Sequence, residues 1–68
     1  MKDFQKYELM LQDFPPMLTA KDVGEILSLS RTTTYNLLKS GRVKICRWGN
    51  SIRVPKISLI EFVVANSQ

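Results

Sequence analysis

Histidine is absent from the 68 residues of this chain, and Cys46 is its only cysteine. A single cysteine closes no disulfide within the chain, and one Cys without His leaves no ligand set for zinc. The usual general base is missing as well. Cys46 has no base among its sequence neighbours and reads as a small, half-buried strand residue. There is no glycine-rich phosphate loop and no G-K-[ST] triplet. Asp22, Glu25 and Glu61 form no evident catalytic pair. An enzyme is therefore not expected, nor a cofactor or a metal. No apolar run is long enough to cross a bilayer, and the N-terminus has no signal-peptide apolar region, so no membrane partner and a cytoplasmic location are expected.

Acidic residues are scarce in one place in particular. The formal net charge is +4, and it is unevenly spread. Residues 1–17 carry Lys2 and Lys6 against Asp3, Glu8 and Asp13, a net of −1. Residues 18–68 carry Lys21, Arg31, Lys39, Arg42, Lys44, Arg47, Arg53 and Lys56 against Asp22, Glu25 and Glu61, a net of +5. From Arg31 through Lys56 there is no acid at all. A solvated surface normally mixes signs, so a one-signed stretch points to a polyanion partner.

The length allows one small domain, and its punctuation divides it. Residues 1–17 form an N-terminal extension in which Phe4, Tyr7, Met10, Leu11 and Phe14 fall near helical spacing, predicting an amphipathic helix over 2–14 that Pro15-Pro16 stops. Leu9 breaks the polar side of that helix. It packs on the domain's own core, offers a self-association surface, or stays a loosely ordered arm.

Residues 18–68 form the main domain. Thr19 and Asp22 make a capping-box-like start for a short helix over Ala20–Leu27, with Val23, Ile26 and Leu27 as its apolar stripe. Gly24 inside that helix would let another helix approach closely. Ser28-Leu29-Ser30 is the turn, Leu29 plugs the gap between the helices, and Ser30 caps a second helix running to about Ser40, with Gly41 after it. At 100° per residue, Thr34, Leu37 and Leu38 cluster on one side. Thr32, Asn36 and Lys39 lie almost opposite, and Thr33, Tyr35 and Ser40 flank them. Val43–Arg47 and Ser51–Val54 are expected as two strands around a Gly49-Asn50 turn. That turn sets Trp48 opposite Ser51 and Cys46 opposite Arg53, with Ile45, Ile52 and Val54 on the core face and Arg47 at its margin. Pro55 is expected to end the ladder, and Lys56–Ala65 to form a closing helix.

Sequence readout of DNA needs short side chains that donate and accept at base edges, and the exposed face of the second helix supplies them in Arg31, Thr32, Thr33 and Asn36. Thr19, Tyr35 and Lys39 suit backbone contacts. The hairpin's Arg42, Lys44, Arg47, Arg53 and Lys56 suit phosphates or a minor groove, with Asn50 and Ser51 at its tip. Trp48 is expected to pack on the core, the alternative being contact with DNA sugar or backbone. The plain alternative for the whole set is a solvated basic surface around a soluble helix.

Four stretches resemble the excisionase-type, MerR-like helix-turn-helix family: Leu18-Thr19-Ala20-Lys21-Asp22-Val23, Leu29-Ser30-Arg31-Thr32-Thr33, Leu38-Lys39-Ser40-Gly41-Arg42 and Ile52-Arg53-Val54-Pro55-Lys56. They span nearly all of residues 18–64. The resemblance implies a small α+β winged helix-turn-helix: helix-turn-helix, two-stranded wing and closing helix. It implies a second helix in the major groove and a wing on the backbone or in the minor groove. It also implies double-stranded DNA as partner and a nucleoid-associated place in the cytoplasm. Members serve as recombination directionality factors of mobile elements, which bind and bend attachment-site DNA to assist a tyrosine integrase, or as small transcriptional regulators; self-association on DNA is a further expectation for this chain. A reading from another class is a protein-interaction module that uses the N-terminal apolar face. The chain departs from the family pattern at Thr34, usually aliphatic, and at Asn50-Ser51, usually more basic. These predict a slightly polar core and a weaker wing grip.

Overall fold

The computed structural model describes residues 2–66. Its elements in chain order are α1 (Lys2–Met10), β1 (Met17–Leu18), α2 (Ala20–Leu27), α3 (Arg31–Lys39), β2 (Cys46–Trp48), β3 (Ser51–Pro55) and α4 (Lys56–Asn66). The described residues thus form a small α+β fold, with four helices around a three-stranded antiparallel sheet of order β1-β3-β2. α2 and α3 are the helix-turn-helix, β2 and β3 the wing, and α4 the closing helix. The polar end at Ser67-Gln68 lies outside the described residues.

The core is assembled from β1, α2, α3, β3 and α4, joined by Val43 from the chain between α3 and β2. Leu18, Val23, Leu38, Val43, Val54 and Leu59 form one buried cluster, with Phe14, Ala20, Ile26, Leu27, Leu37, Ile45, Ile52 and Phe62 packed against it. The helical periodicity of α2 and α3 is met: Val23 and Leu38 are buried while Lys21, Glu25, Thr32, Asn36 and Lys39 are exposed.

The hairpin register is the expected one, with Cys46 opposite Arg53, Arg47 opposite Ile52 and Trp48 opposite Ser51. Gly49 has φ 59° and Asn50 is not in the left-handed region, the φ pattern of a II′ turn with Gly first. Val54 is buried and Ile52 and Ile45 are half-buried, so the core face is also as expected.

Four expectations need correction. The first wing strand begins at Cys46 rather than Val43; Val43 is buried but reaches the core from irregular chain. Pro55 does not end the ladder, because it pairs with Met17 while Leu18 pairs with Val54. The Lys56 N–H donates to the Pro16 carbonyl at 2.7 Å. Met17 and Pro55 therefore face each other at a pair whose bonds come from the flanking residues, and the N–H that proline lacks is not needed there.

α1 stops at Met10, and Leu11–Phe14 turn back instead of continuing the helix, with the Phe14 N–H donating to the Leu11 carbonyl at 2.9 Å. α1 lies against α4. Within the expected apolar stripe Leu11 is buried, Phe4, Tyr7 and Phe14 are half-buried, and Met10 is exposed together with Leu9.

Finally, Trp48 does not pack on the core; it is 63% exposed. Its strand position puts it on the face of the hairpin away from the core, beside the turn, where no element lies over it.

Candidate nucleic-acid interface

The helix-turn-helix owes its geometry to a short run of hydrogen bonds. The Asp22 N–H donates to Thr19 Oγ1 and the Thr19 N–H to Asp22 Oδ2, both at 3.1 Å. This reciprocal capping box satisfies two of the free donors at the start of α2. It also occupies Thr19, one of the residues expected to meet DNA backbone. α2 ends at Ser28, which takes the left-handed conformation at φ 58°, and the Leu29 N–H closes on the Gly24 carbonyl at 2.9 Å. Leu29 is half-buried between the helices, as a plug would be.

Ser30 caps α3. Its Oγ accepts from the Thr33 N–H at 3.2 Å, and its hydroxyl donates to Thr33 Oγ1 at 2.9 Å. Thr34 is 2% exposed, yet its hydroxyl donates to the Ser30 carbonyl at 2.8 Å. The polar core position implied by the departure from the family pattern is therefore satisfied. A Cβ built on Gly24 would stand 3.0 Å from Thr34 Oγ1 and 3.4 Å from the Leu29 carbonyl oxygen. Gly24 is what lets α2 and α3 approach this closely.

With its back fixed by Thr34, Leu37 and Leu38, α3 turns Arg31, Thr32, Thr33, Tyr35, Asn36 and Lys39 to solvent. Among the described residues, no side-chain hydrogen bond ties Arg31, Thr32, Asn36 or Lys39 to the fold, and all four side chains are exposed. Thr33 differs, since its oxygen already accepts from Ser30, leaving its hydroxyl hydrogen and one lone pair to offer a base. Beyond α3, the Ser40 hydroxyl donates to the Leu37 carbonyl at 2.6 Å and accepts from the Arg42 N–H at 3.2 Å. Gly41 follows with φ 84° and turns the chain toward the wing.

The basic residues of the second half do not all gather in one place. Arg47, Trp48, Asn50 and Ser51 are exposed at the wing tip. Arg53 is half-buried and its guanidinium donates to the Ile52 carbonyl at 3.1 Å. Arg42 and Lys44 line a shallow hollow on the α4 side with Glu61 and Phe62. Glu61, an acid from outside the Arg31–Lys56 stretch, thus lies along the same hollow as two of its cations. Lys56 leaves the set of phosphate candidates. Its ammonium donates to the Leu11 carbonyl at 3.2 Å and the Phe14 carbonyl at 2.9 Å, tying the N-terminal extension to the start of α4.

Lys21 was not among the residues expected at the interface. Exposed in the first turn of α2, it lines a hollow of about 440 Å³ between α2 and α3 together with Arg31, Tyr35 and Glu25. The signal available was its place two residues after the Thr19 cap, on the side of α2 that looks toward the start of α3. Among the described residues no cluster of His, Cys, Asp and Glu has the makings of a metal site, and no helix is long and apolar enough to cross a membrane.

An α2–turn–α3 unit with an exposed polar α3, a two-stranded wing and a closing helix defines a winged helix-turn-helix protein. A family profile described as a helix-turn-helix domain matches residues 17–67. The chain belongs to this helix-turn-helix family, and its function is sequence-specific DNA binding. Comparison with curated proteins gives no match, and comparison with solved structures gives none either.

Proposed function

We propose that the protein is a non-enzymatic recombination directionality factor of the excisionase type, which binds and bends attachment-site DNA to assist a tyrosine integrase. The observation that carries the DNA part is the exposed face of α3, where the Arg31, Thr32 and Asn36 side chains stand in solvent on a helix whose back is buried at Thr34 and Leu38. In this reading Arg31, Thr32, Thr33 and Asn36 read base edges in the major groove. Lys21, Tyr35, Lys39, Arg47 and Arg53 hold phosphates on either side. The excisionase part is supported by the order of motifs from Leu18 to Lys56 quoted above.

A directionality factor also needs a face for protein. The apolar groove between α1, α2 and α4, lined by Tyr7, Met10, Leu11, Phe14, Ile26 and Ile60, supports that role. Leu9 and Met10 stand exposed on α1 beside it. The experiment is an excision assay with candidate tyrosine integrases, run against a promoter reporter. Excision that depends on the protein supports the reading. Promoter control without excision makes it a small transcriptional regulator instead. Leu9→Lys and Met10→Lys, at exposed positions, are expected to abolish excision while leaving DNA affinity within about two-fold, because single surface changes cost little folding stability. Loss of DNA binding in these variants contradicts the division of faces.

A further inference from the structure

Trp48 is the single tryptophan of the chain, and the fold leaves it in water at the tip of the wing. Its cross-strand partner is Ser51, too small to cover an indole, and the next residue, Gly49, has no side chain. The ring therefore stands above its surroundings at the hairpin's end. The cations are placed around it. Arg53 is its diagonal neighbour on the same face of the ladder, and Arg47 precedes it on the opposite face. A two-stranded ribbon, with strands about 4.8 Å apart and side chains on both faces, is too broad for a minor groove about 6 Å wide. A flat indole, about as thick as the 3.4 Å rise between base pairs, is not.

We propose that Trp48 is a minor-groove wedge. Its ring enters the minor groove beside the major-groove segment occupied by α3, partly unstacks one base step and bends the duplex there. Arg47 and Arg53 hold the two phosphate strands that border the groove. The proposal rests on the DNA-binding reading above and adds a sequence requirement that α3 does not impose. The bound site should carry a flexible pyrimidine–purine step, TA or CA/TG, one groove away from the bases α3 reads, because such steps unstack most easily. The Nε1–H, a donor only, finds acceptors on that floor at adenine N3 and thymine O2.

The single tryptophan makes the test direct. The full chain is titrated with a short duplex selected from a random-sequence pool, and Trp48 emission is followed beside the anisotropy of the labelled DNA. 2-Aminopurine is placed at successive steps of the duplex, and end-to-end energy transfer reports the bend. Emission should be quenched in step with binding, and 2-aminopurine should brighten at one pyrimidine–purine step. Trp48→Ala should weaken binding by about 5- to 150-fold, the range of base–aromatic stacking, and straighten the duplex. Trp48→Phe should restore most of both. Binding with unchanged Trp48 emission, no bright 2-aminopurine position and a Trp48→Ala complex as bent as the native one overturns the wedge and leaves the DNA-binding reading standing. Failure to bind any duplex overturns both.

Discussion

Thr34 carries a hydroxyl into the close contact between α2 and α3, and Gly24 is the residue that accommodates it. The hydroxyl is held by the Ser30 carbonyl, so it cannot swing away from a new methyl group on α2. Gly24→Ala gains about 1 kcal/mol of helix propensity and sets a Cβ 3.0 Å from a fixed oxygen, which costs about 1–3 kcal/mol as overpacking. The expected net is a loss of about 1 kcal/mol in chemical denaturation. In a Thr34→Ala background the same change should be neutral or stabilising, a coupling that a double-mutant cycle measures directly. An identical effect in both backgrounds would contradict the contact. At this scale the sequence was legible at the helix starts, in the Thr19–Asp22 box and the Ser30 cap, but not where Thr34 and Arg53 donate to nearby carbonyls. Trp48 was not legible, because whether a hairpin-tip ring is covered depends on how far the core extends.

The elements divide in the same way. α2, α3, the hairpin register and α4 were readable because caps, helical periodicity and a two-residue turn are local signals. β1 was not. Met17-Leu18 is too short to show alternation, and it becomes a strand only because β3 lies beside it. The end of α1 was equally hidden, since the Leu11–Phe14 turn is held by an ammonium 42 and 45 residues further on. Lys56 looked from sequence like one more wing cation. Lys56→Met is expected to cost about 1–2 kcal/mol in unfolding, from the loss of two charge-assisted bonds that are only partly buried, and to leave the salt slope of DNA binding unchanged. A slope reduced by about 1 would return Lys56 to the phosphate contacts.

For the whole molecule the decisive property is the segregation of charge. Residues 1–17 sum to −1 and residues 18–68 to +5, yet the fold does not aim every cation at one partner. Arg42 and Lys44 share their hollow with Glu61, and Lys56 is engaged internally. Lys21, Lys39, Arg47 and Arg53 remain for phosphates, with Arg31 at base edges. With about 0.9 counterion released per phosphate neutralised, the log–log salt dependence of binding should have a slope of about −3.6. A slope near about −5.4 would restore Arg42 and Lys44 to the interface, and one near zero would remove DNA as the partner.

The central claim is that the free face of α3 reads sequence while the wing and helix ends hold backbone. The measurement that tests it most directly is the affinity of Asn36→Ala for a selected duplex, set against its affinity for random DNA of the same length at the same salt. The Asn36 side chain is exposed on α3, so its truncation to Ala should leave stability nearly unchanged. Affinity for the selected duplex should fall by about 1–3 kcal/mol while affinity for random DNA stays as it was. An equal fall on both duplexes, or no fall on either, would contradict the account.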